Sequence, residues 1–365
     1  MKELYSKAAN FLRDIDKDER VLIISHWDMD GVASGAIISR ILREKRGKEA
    51  DEFRIPQGRN HQIDQKTENL ISKGKIDKLI ITDINPGYQE LKRILKNFKD
   101  KVLIIDHHNF EKVPEDVIFV NPRVEDSEVY TSASKLCYDI ALKFGMDLAW
   151  IAGTGIIQDF NVKGSEAIFE KLKKEYPSYF PKKISQENLA KNCKYGKLSK
   201  ILNVKAYKDT AKYAQIAYKL LMKVNSLTEI ENTEEYYELN EIYWDMIREL
   251  EKTIENYFDD RELNREKQVS FFKFSSEYHI NSSIATNISL DEPQWVHIIV
   301  KESEDAMNIS ARCQSGRVNL EELLKKAMPD EALENGEAGG HRKAAGASLQ
   351  KEYYKEFKEN LIELI

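Results

Sequence analysis

The sequence has few cysteines and lacks any long apolar run. Cys137, Cys193 and Cys313 are the only three cysteines in 365 residues. They are too few and too scattered for a disulfide framework or a thiolate zinc site, so we interpret them as packing residues. No apolar stretch approaches the ~18 residues that a membrane-spanning helix needs. The first twenty residues are charged throughout and lack the apolar core of a signal peptide. We therefore expect a cytoplasmic protein.

Acidic residues are scarce in one segment and abundant in the next. The whole chain has a net charge of −6, but residues 171–225 contain fourteen Lys against three acids, and residues 226–267 contain fourteen acids against five bases. A lysine-rich segment with interleaved rings is typical of a surface that binds single strands. A solvated helical surface with its rings in the core explains the same composition, so both interpretations stay open. The rings are Tyr176, Tyr179, Phe180, Tyr195, Tyr207, Tyr213 and Tyr218.

Short apolar runs alternate with helical patterns between residues 21 and 160. The runs predict strands at 21–25, 51–56, 78–83, 102–106 and 117–122. Helices are predicted from Gly31, after Pro86, and near 131–144 and 147–157. Strands of four to six apolar residues separated by helices are typical of a parallel sheet that is covered on both faces. The sequence therefore predicts a doubly wound α/β domain, which we place at residues 1–160.

The rest of the chain divides into a helical region and a second α/β domain. Residues 161–265 show no strand pattern and end in a long amphipathic helix, because apolar residues recur there at helical spacing. Strand patterns return at 268–274, 295–300 and 307–312, followed by a helix and a glycine-rich segment at 338–346. We therefore expect a helical insertion and linker at 161–265 and a smaller substrate-binding domain at 266–365. The stripe of the long helix consists of Leu239, Tyr243, Met246, Leu250, Ile254 and Tyr257.

Acidic and histidine side chains follow several strands of the first predicted domain. Ligands gather at the carboxyl ends of parallel strands, and residues two apart in an extended strand exit point the same way, so we expect these side chains to converge. Crowding that many carboxylates and imidazoles together would be costly without cations to neutralise them. The eight residues are His26, Asp28 and Asp30, then Asp83, then Asp106, His107 and His108, and finally Asp159.

The donor types indicate which ions would fit. Carboxylate and imidazole ligands suit Mn or Fe, Zn is compatible, and a thiolate site is excluded because no Cys lies nearby. A pair of ions that shares one carboxylate fits the number of donors. An aspartate after a strand is also commonly a helix N-cap, so Asp30 before Gly31 has an ordinary structural explanation as well.

These residues resemble the ordered motifs of the DHH phosphoesterase superfamily. The form His-x-Asp-x-Asp-Gly of the first motif is most similar to archaeal RecJ-like nucleases. A C-terminal segment resembles the GGGHxxAAG signature of the DHH-associated domain, with Ala338 in place of the first Gly. The matching segments are 26–31, Asp83, 106–108 and 155–159, the intervening features Asn121-Pro122 and 131–134, and the C-terminal 339–341 with 344–346.

The resemblance implies roles for individual residues. Two Mn²⁺ ions, or Mg²⁺ in their place, would be bound, with Asp83 as the shared ligand. His108 would face the scissile phosphate, and Asp106 would orient the histidines. His26, Asp28 and Asp83 would hold one ion, Asp30, Asp83, His107 and Asp159 would hold the other, and Arg312, Gly339, Gly340 and His341 would bind substrate.

The resemblance also implies an activity. We expect a Mn-dependent phosphodiesterase, an exonuclease that hydrolyses single-stranded DNA or RNA from an end through a water activated by two metals, in a cleft between the two α/β domains. The expected partners are single-stranded nucleic acid and proteins of replication or DNA repair, with no membrane involved. The alternative within the same chemistry is a nanoRNase or a phosphatase acting on short or cyclic nucleotides. A replication scaffold that has lost its metal ligands is the alternative that is not an enzyme.

Overall fold

The chain folds into two compact units. The computed structural model describes residues 1–56, 63, 65–96, 102–110, 112–191, 193–203, 210–332 and 336–365. The first unit holds the described residues up to Tyr243, and the second holds those from Trp244 onward. The boundary lies inside a long helix, α11, which spans Glu234–Asp260. The helical region that follows residue 160 thus belongs mostly to the first unit.

The first unit is built on a five-stranded parallel sheet. Its strand order is β2-β1-β3-β4-β5, so the chain moves from β1 outward to β2 and then returns past β1 to add the other strands. This reversal of direction lies between β1 and β3, where open α/β sheets bind their ligands. The doubly wound sheet predicted from the sequence is confirmed. The strands are β1 (Val21–Ser25), β2 (Glu52–Arg54), β3 (Lys78–Thr82), β4 (Val102–Ile105) and β5 (Val117–Val120).

Helices cover both faces of this sheet. In β1, Val21 and Ile23 face one apolar cluster, whereas Leu22 and Ile24 face another, as the two-residue period of a strand requires. Helices α1 and α3 were not predicted. The apolar spacing of α1 is visible in the sequence, whereas α3 carries few apolar residues. The helices are α1 (Lys2–Arg13), α2 (Met29–Arg46), α3 (Gln65–Ser72), α4 (Tyr88–Leu95), α5 (Ala133–Ala141), α6 (Ala149–Gln158), α7 (Glu166–Glu175), α8 (Gln186–Lys191), α9 (Lys194–Leu202) and α10 (Thr210–Lys223).

The helices α7 to α10 bury most of the rings of the lysine-rich segment. Tyr179, Phe180, Tyr195 and Tyr218 belong to the main apolar cluster of the first unit. The hydroxyl of Tyr195 donates to the main-chain oxygen of Trp150 at 2.8 Å. These four rings are therefore core residues, and the interpretation of them as base-stacking surfaces is wrong. Tyr176 and Tyr213 pack partly buried against the same cluster, and Tyr207 lies outside the described residues.

Several lysines of this segment pair with the acidic segment that follows it. The net charge of +11 on residues 171–225 is therefore partly cancelled within the first unit by acids of residues 226–267, a segment with a net charge of −9. Exposed pairs of this kind contribute little to stability, but they reduce the positive charge that is available to a ligand. The pairs are Lys194 with Glu231, Lys212 with Glu238 at 3.8 Å, and Lys223 with Glu235 at 3.0 Å.

The second unit contains a six-stranded mixed sheet, in agreement with the smaller α/β domain predicted there. Its order is β10-β11-β9-β8-β7-β6, and all neighbours are antiparallel except β7 and β8. The short strand β6 lies where no strand was predicted. The elements are β6 (Glu262–Asn264), β7 (Val269–Ser275), α12 (Asn281–Asp291), β8 (Val296–Glu302), β9 (Ala306–Arg312), α13 (Leu320–Ala327), β10 (Glu337–His341), β11 (Ala344–Gln350) and α14 (Tyr354–Leu364).

The long helix predicted from its apolar stripe is present as α11. Near its C-terminal end Tyr257 is fully buried, and its hydroxyl lies 2.8 Å from both the Ser270 hydroxyl and Nδ1 of His297. These hydrogen bonds attach the end of the helix to β7 and β8. Among the described helices, none is both long enough and apolar enough to cross a membrane.

Candidate metal centre

The sheet itself fixes the first residue beyond three of its strands. Each of these residues donates its main-chain N–H to the last carbonyl of the neighbouring strand, which extends the parallel ladder by one step. The side chains that follow β1, β3 and β4 are therefore held by backbone hydrogen bonds rather than by flexible loops. The bonds run from His26 to Thr82 (3.3 Å), from Asp83 to Ile105 (2.9 Å) and from Asp106 to Val120 (3.0 Å).

The turn from β1 into α2 differs from the extended exit that the sequence suggested. The helix begins at Met29, and Asp28 is its N-cap, with a side-chain oxygen that accepts from the Gly31 N–H at 3.1 Å. The alternative explanation of Asp30 as an N-cap is therefore wrong, and Asp30 lies in the first helical turn. Only glycine fits at position 31, because a Cβ there would lie 2.5 Å from the His26 carbonyl oxygen.

Asp30 is held at the N-terminus of helix α5. Its carboxylate accepts hydrogen bonds from the N–H groups of Ala133 at 2.7 Å and Ser134 at 3.0 Å, and from the Ser134 hydroxyl. Gly155 in α6 permits this packing, because a Cβ there would lie 2.8 Å from Asp30 Oδ1. Burial, with Asp83 and Asp159 nearby, raises the pKa of Asp30 well above its usual range. Ser134 was noted in the sequence only as part of a segment, without this role.

The predicted ligands come together in three overlapping groups. In each group, the candidate ligand atoms all lie within 4.8 Å of one another. One group is the ligand set implied for the first ion, and another is the set implied for the second ion without Asp83. The remaining group contains His108, which the resemblance assigns to the phosphate rather than to an ion. The groups are His26, Asp28 and Asp83; Asp30, His107 and Asp159; and Asp83, His107 and His108.

Asp83 lies at the centre of this arrangement. Its Oδ2 is 3.6 Å from Nδ1 of His26, and its Oδ1 is 3.2 Å from Nε2 of His107. Both oxygens are buried and accept no hydrogen bond from any residue that the structure describes. The backbone adopts φ = 59°, a left-handed conformation that few residues other than glycine accept. A buried carboxylate without donors is costly, and a cation on each side would satisfy both oxygens, so the residues fit a pair of divalent ions.

The pKa shifts in the cluster have a common cause. Burial alone would lower the pKa of His26, but the carboxylates of Asp28 and Asp83 outweigh it and raise that pKa to about 10. Burial would also lower the pKa of His107, but the nearby carboxylates, Asp83 above all, outweigh it and raise that pKa to about 10. Burial raises the pKa of Asp159 to about 6, with His107 opposing and Asp83 adding to the effect. The cluster thus attracts positive charge, which a divalent cation would supply.

The residues 106–108 are positioned by side chains from the next loop. Asp106 is fully buried; its Oδ1 lies 2.8 Å from Nδ1 of His108, and its Oδ2 accepts the His108 N–H at 3.0 Å. Asn121 donates to the His108 carbonyl at 3.0 Å, and Arg123 donates to the His107 carbonyl at 2.9 Å. Asn121 was singled out in the sequence only through the family resemblance, and Arg123 was missed because its spacing carries no signal.

In the second unit, the strand register aligns the two charged residues implied for substrate binding. Arg312 pairs with Ala344 across β9 and β11, and Ala344 pairs with His341 across β11 and β10. Directly opposite residues point to the same face, so Arg312 and His341 lie roughly 10 Å apart on either side of a small alanine. Arg312 donates to the hydroxyls of Ser282 at 2.8 Å and Thr286 at 3.3 Å, while His341 is exposed.

The two glycines of this signature have different surroundings. A Cβ on Gly339 would meet no described atom within 4 Å, whereas a Cβ on Gly340 would lie 2.6 Å from the Ala344 carbonyl oxygen. Gly340 also has φ = 139°. The hairpin of β10 and β11 therefore requires glycine at 340 for its own geometry, while Gly339 leaves open space above the strand.

Comparisons with known proteins agree with these features. The DHH family N-terminal domain matches residues 20–159, and the DHHA1 domain matches residues 268–365. An uncharacterized protein of Methanocaldococcus jannaschii is 29% identical over 147 residues, which cover 38% of this chain and 32% of that protein. A Bacillus subtilis protein named as a putative SPbeta prophage-derived single-strand DNA-specific exonuclease is 26% identical over 185 residues, which cover 50% of this chain and 28% of that protein. The matches thus span about a third of these curated relatives.

A solved structure shares the fold over nearly the whole chain. RecJ from Thermus thermophilus, in complex with Mn²⁺, matches with a TM-score of 0.67 and 18% identity over 98% of this chain and 53% of that chain. The two matched domain models follow each other in the order that the sequence motifs predict. On these grounds the chain belongs to the DHH family and carries a DHHA1 domain after its DHH domain.

Proposed function

We propose that this protein is a metal-dependent phosphodiesterase that hydrolyses single-stranded DNA or RNA from an end. The observation that carries the proposal is the carboxylate of Asp83, buried between His26 and His107 at the edge of the sheet with no donor among the described residues. Such a group is costly unless cations bind on both sides. The Bacillus subtilis relative supports the nucleic acid substrate, and the ion in the RecJ structure supports Mn²⁺, with Mg²⁺ as a substitute.

The cluster would hold two ions. We assign His26 and Asp28 to one ion, and Asp30, His107 and Asp159 to the other, with Asp83 shared between them. When bound, the ions would supply positive charge that activates a water molecule and stabilises the leaving oxygen. Asp30 brings its charge to this position because the N-terminus of α5 donates to both of its oxygens, which leaves further lone pairs for an ion.

His108 would act on the substrate rather than on an ion. Its Nδ1 faces Asp106, so the imidazole is held in one orientation and its Nε2 is directed away from that carboxylate. The side chain retains 42% of its exposure, in contrast to 4% for His107. An exposed, oriented imidazole beside the cluster is suited to contact a phosphate oxygen, and we assign that role to His108 with Asp106 as its positioning residue.

In the second unit, we assign substrate binding to Arg312, Gly339, Gly340 and His341. Arg312 is already oriented by Ser282 and Thr286, so its guanidinium can meet a phosphate with little loss of conformational freedom. The open space at Gly339 would let a phosphate approach the main chain closely. These residues would bind the substrate in its ground state and transition state about equally.

A second candidate is a phosphodiesterase or phosphatase acting on short or cyclic nucleotides. The packing of the lysine-rich segment favours it, because the four buried rings cannot stack on bases, and several of the lysines are neutralised by acids. A long strand would therefore find fewer binding groups on this surface than the composition alone suggests. We retain the exonuclease as the first choice because the exposed lysines at 174, 182 and 183 still present positive charge.

Digestion of end-labelled strands tests both candidates. Single-stranded DNA and RNA of about 30 nucleotides, labelled at either the 5′ or the 3′ end, would be incubated with Mn²⁺ and compared with dinucleotides and cyclic dinucleotides. The exonuclease predicts single-nucleotide products released from one end of the long strands. Hydrolysis confined to the dinucleotides would instead support the second candidate. Failure to hydrolyse any of these substrates would contradict both, with the Asp83→Asn variant as the control for contaminating nucleases.

A further inference from the structure

Two exposed aromatic side chains flank the candidate metal ligand Asp159. Tyr130 is 46% exposed and Phe160 is 76% exposed, although large apolar side chains are usually buried. Phe160 directly follows Asp159 in the chain, and the hydroxyl of Tyr130 donates to the main-chain oxygen of Asp159 at 3.1 Å. Neither ring belongs to the apolar clusters of the described residues or supplies a candidate metal ligand.

Tyr130 is held rigidly beside the cluster. Besides the hydrogen bond of its hydroxyl, its ring meets the His107 ring edge to face, with centroids 5.2 Å apart and an interplanar angle of 71°. The hydrogen bond fixes the far end of the side chain, and the ring contact fixes its tilt. The ring is therefore a preorganised flat surface next to two candidate ligands, with nearly half of its area exposed to solvent.

The segments that carry the two rings are fastened together. Asn161 is buried; its amide donates to the Tyr130 carbonyl at 2.9 Å, and its side-chain oxygen accepts the Ser132 N–H at 3.0 Å. With the bond from Tyr130 to Asp159, three hydrogen bonds connect residues 130–132 to residues 159–161. Movement of one segment relative to the other would break at least one of them.

The backbone of Phe160 is unfavourable for its side chain. Its φ is 53°, in the left-handed region where a bulky residue is an outlier and Asn or Gly would be accepted more readily. This conformation ends α6, because the Phe160 N–H donates to the Ile157 carbonyl at 3.2 Å and the Asn161 N–H donates to the Ile156 carbonyl at 2.9 Å. Gly or Asn would end the helix in the same way at a lower cost, and the exposed ring adds nothing to the core. Strain of this kind is concentrated at functional sites, where the position of the side chain matters more than its cost.

We propose that Tyr130 and Phe160 form a platform for the nucleobase next to the scissile phosphate. The proposal rests on the proposed function, in which a phosphodiester of a nucleic acid binds at the cluster around Asp83. A nucleobase is the flat group that such a substrate brings within one nucleotide of the phosphate, and its faces stack on aromatic rings whichever base it is. The platform would make the enzyme prefer base-bearing strands over phosphodiesters without bases, independently of sequence.

Paired substrates separate the platform from the chemistry. A single strand whose terminal nucleotides carry bases would be compared with the same strand in which the last three nucleotides at the digested end are abasic. Phe160→Ala should raise KM for the intact strand by about 5- to 100-fold, the range for loss of one stacked base. Its KM for the abasic strand should stay within about twofold of the wild-type value, with metal content unchanged. Equal KM increases for both strands would overturn the platform.

Two further variants control for structure and for the shape of the ring. Asn accepts the left-handed backbone, so Phe160→Asn should raise Tm. It should also raise KM for the intact strand, as Phe160→Ala does. If Phe160 had only a structural role, a variant with a higher Tm would not bind the strand more weakly. Tyr130→Phe retains the ring and should keep the discrimination between the strands, whereas Tyr130→Leu should lose it. If Tyr130→Leu discriminates as well as Tyr130→Phe, planarity plays no part and the proposal fails.

The wild-type enzyme distinguishes failure of this inference from failure of the proposed function. If it hydrolyses both strands with the same KM, the phosphodiesterase assignment stands and the platform is overturned. If it hydrolyses neither strand, the proposed function fails and the platform fails with it. Equilibrium binding of both strands in the presence of EDTA gives a second readout without turnover, in which only the intact strand should lose affinity in Phe160→Ala.

Discussion

The carboxyl edge of the parallel sheet differs from the hairpin face, the face of the mixed sheet that carries Arg312 and His341, in how its polar side chains are satisfied. At the first, Asp83 and His107 are buried, and both oxygens of Asp83 lack hydrogen-bond donors in the described part of the chain. At the second, His341 is exposed, and the Arg312 guanidinium is satisfied by neighbouring hydroxyls. A buried carboxylate without donors is stabilised by a bound cation, whereas a half-buried arginine that is already oriented can bind an anion directly. We therefore expect changes at the first edge to abolish function and changes at the second face to weaken it gradually.

The largest effect is expected from Asp83→Asn. Asparagine accepts the left-handed backbone of this position, so the substitution isolates the charge from the conformation. Loss of the shared carboxylate should abolish hydrolysis and lower bound Mn²⁺ by more than one equivalent. Metal analysis after dialysis measures this, with Asp159→Asn, which should lose nearer one equivalent, as the matched control. Full Mn²⁺ occupancy in Asp83→Asn would rule out a shared ligand.

His108→Ala tests whether the exposed histidine belongs to the chemistry or to an ion. We expect kcat to fall by about 100- to 1,000-fold, as for removal of a donor to the transition state, with metal content near that of the wild type. Asp106→Asn should reduce kcat less, because the imidazole remains but is poorly oriented. Loss of a metal equivalent in His108→Ala would instead make His108 a ligand, as its position near Asp83 and His107 permits.

Arg312→Ala tests the gradual response expected at the hairpin face. A charged hydrogen bond contributes about 1.5 to 3 kcal/mol, so KM should rise about 10- to 100-fold while kcat changes little. His341→Ala should act in the same direction. Steady-state kinetics with a fixed single strand measures both. A fall in kcat at unchanged KM would show that this face acts in the transition state and not in binding alone.

Gly155→Ala tests how tightly α6 approaches the candidate metal centre. The new methyl group would lie 2.8 Å from Asp30 Oδ1 and 2.9 Å from Asp30 Cα, so Asp30 or the helix must shift. We expect a loss of about 1 to 2 kcal/mol in the free energy of unfolding, after the gain in helix propensity is included. Urea denaturation measures it. Gly339→Ala, with no described atom within 4 Å of its Cβ, is the control and should change stability by less than about 0.5 kcal/mol.

The smallest effect is expected from Lys182→Gln combined with Lys183→Gln. Both side chains are exposed, and removing one ammonium group that binds a phosphate should flatten the dependence of log K on log salt by roughly 0.7 for a single strand. For the two substitutions together, the slope should therefore flatten by about 1.4 at most, and for long strands only. Lys194→Gln is the comparison, because Lys194 is already paired with Glu231 and should contribute less. An unchanged slope would favour short nucleotides as substrates.

Much of the candidate metal centre could be predicted from the sequence because it depends on strand ends. The apolar runs before His26, Asp83 and Asp106 mark buried strands, and parallel strands bring their carboxyl ends to one edge. The alternative explanation of Asp30 as an N-cap was wrong, because the residue that caps α2 depends on where that helix begins, and the cap is Asp28. The sequence left two interpretations of the rings in the lysine-rich segment open, because composition does not reveal which face of a helix is buried.

Local sequence patterns were enough to predict the alternation of strands and helices, the residue types at the strand ends and the family. How these residues are held depends on the folded chain, since hydrogen bonds such as those of Asp30 with Ser134, or of Arg123 with His107, join separate segments of the sequence. The same holds for Tyr130 and Phe160, which are exposed beside Asp159 in two segments joined by the hydrogen bond from the Tyr130 hydroxyl to the Asp159 carbonyl. Hydrophobic periodicity indicates which side chains face a core. The partners of a buried polar group come from other segments of the chain, and no local pattern predicts which segments will pack together.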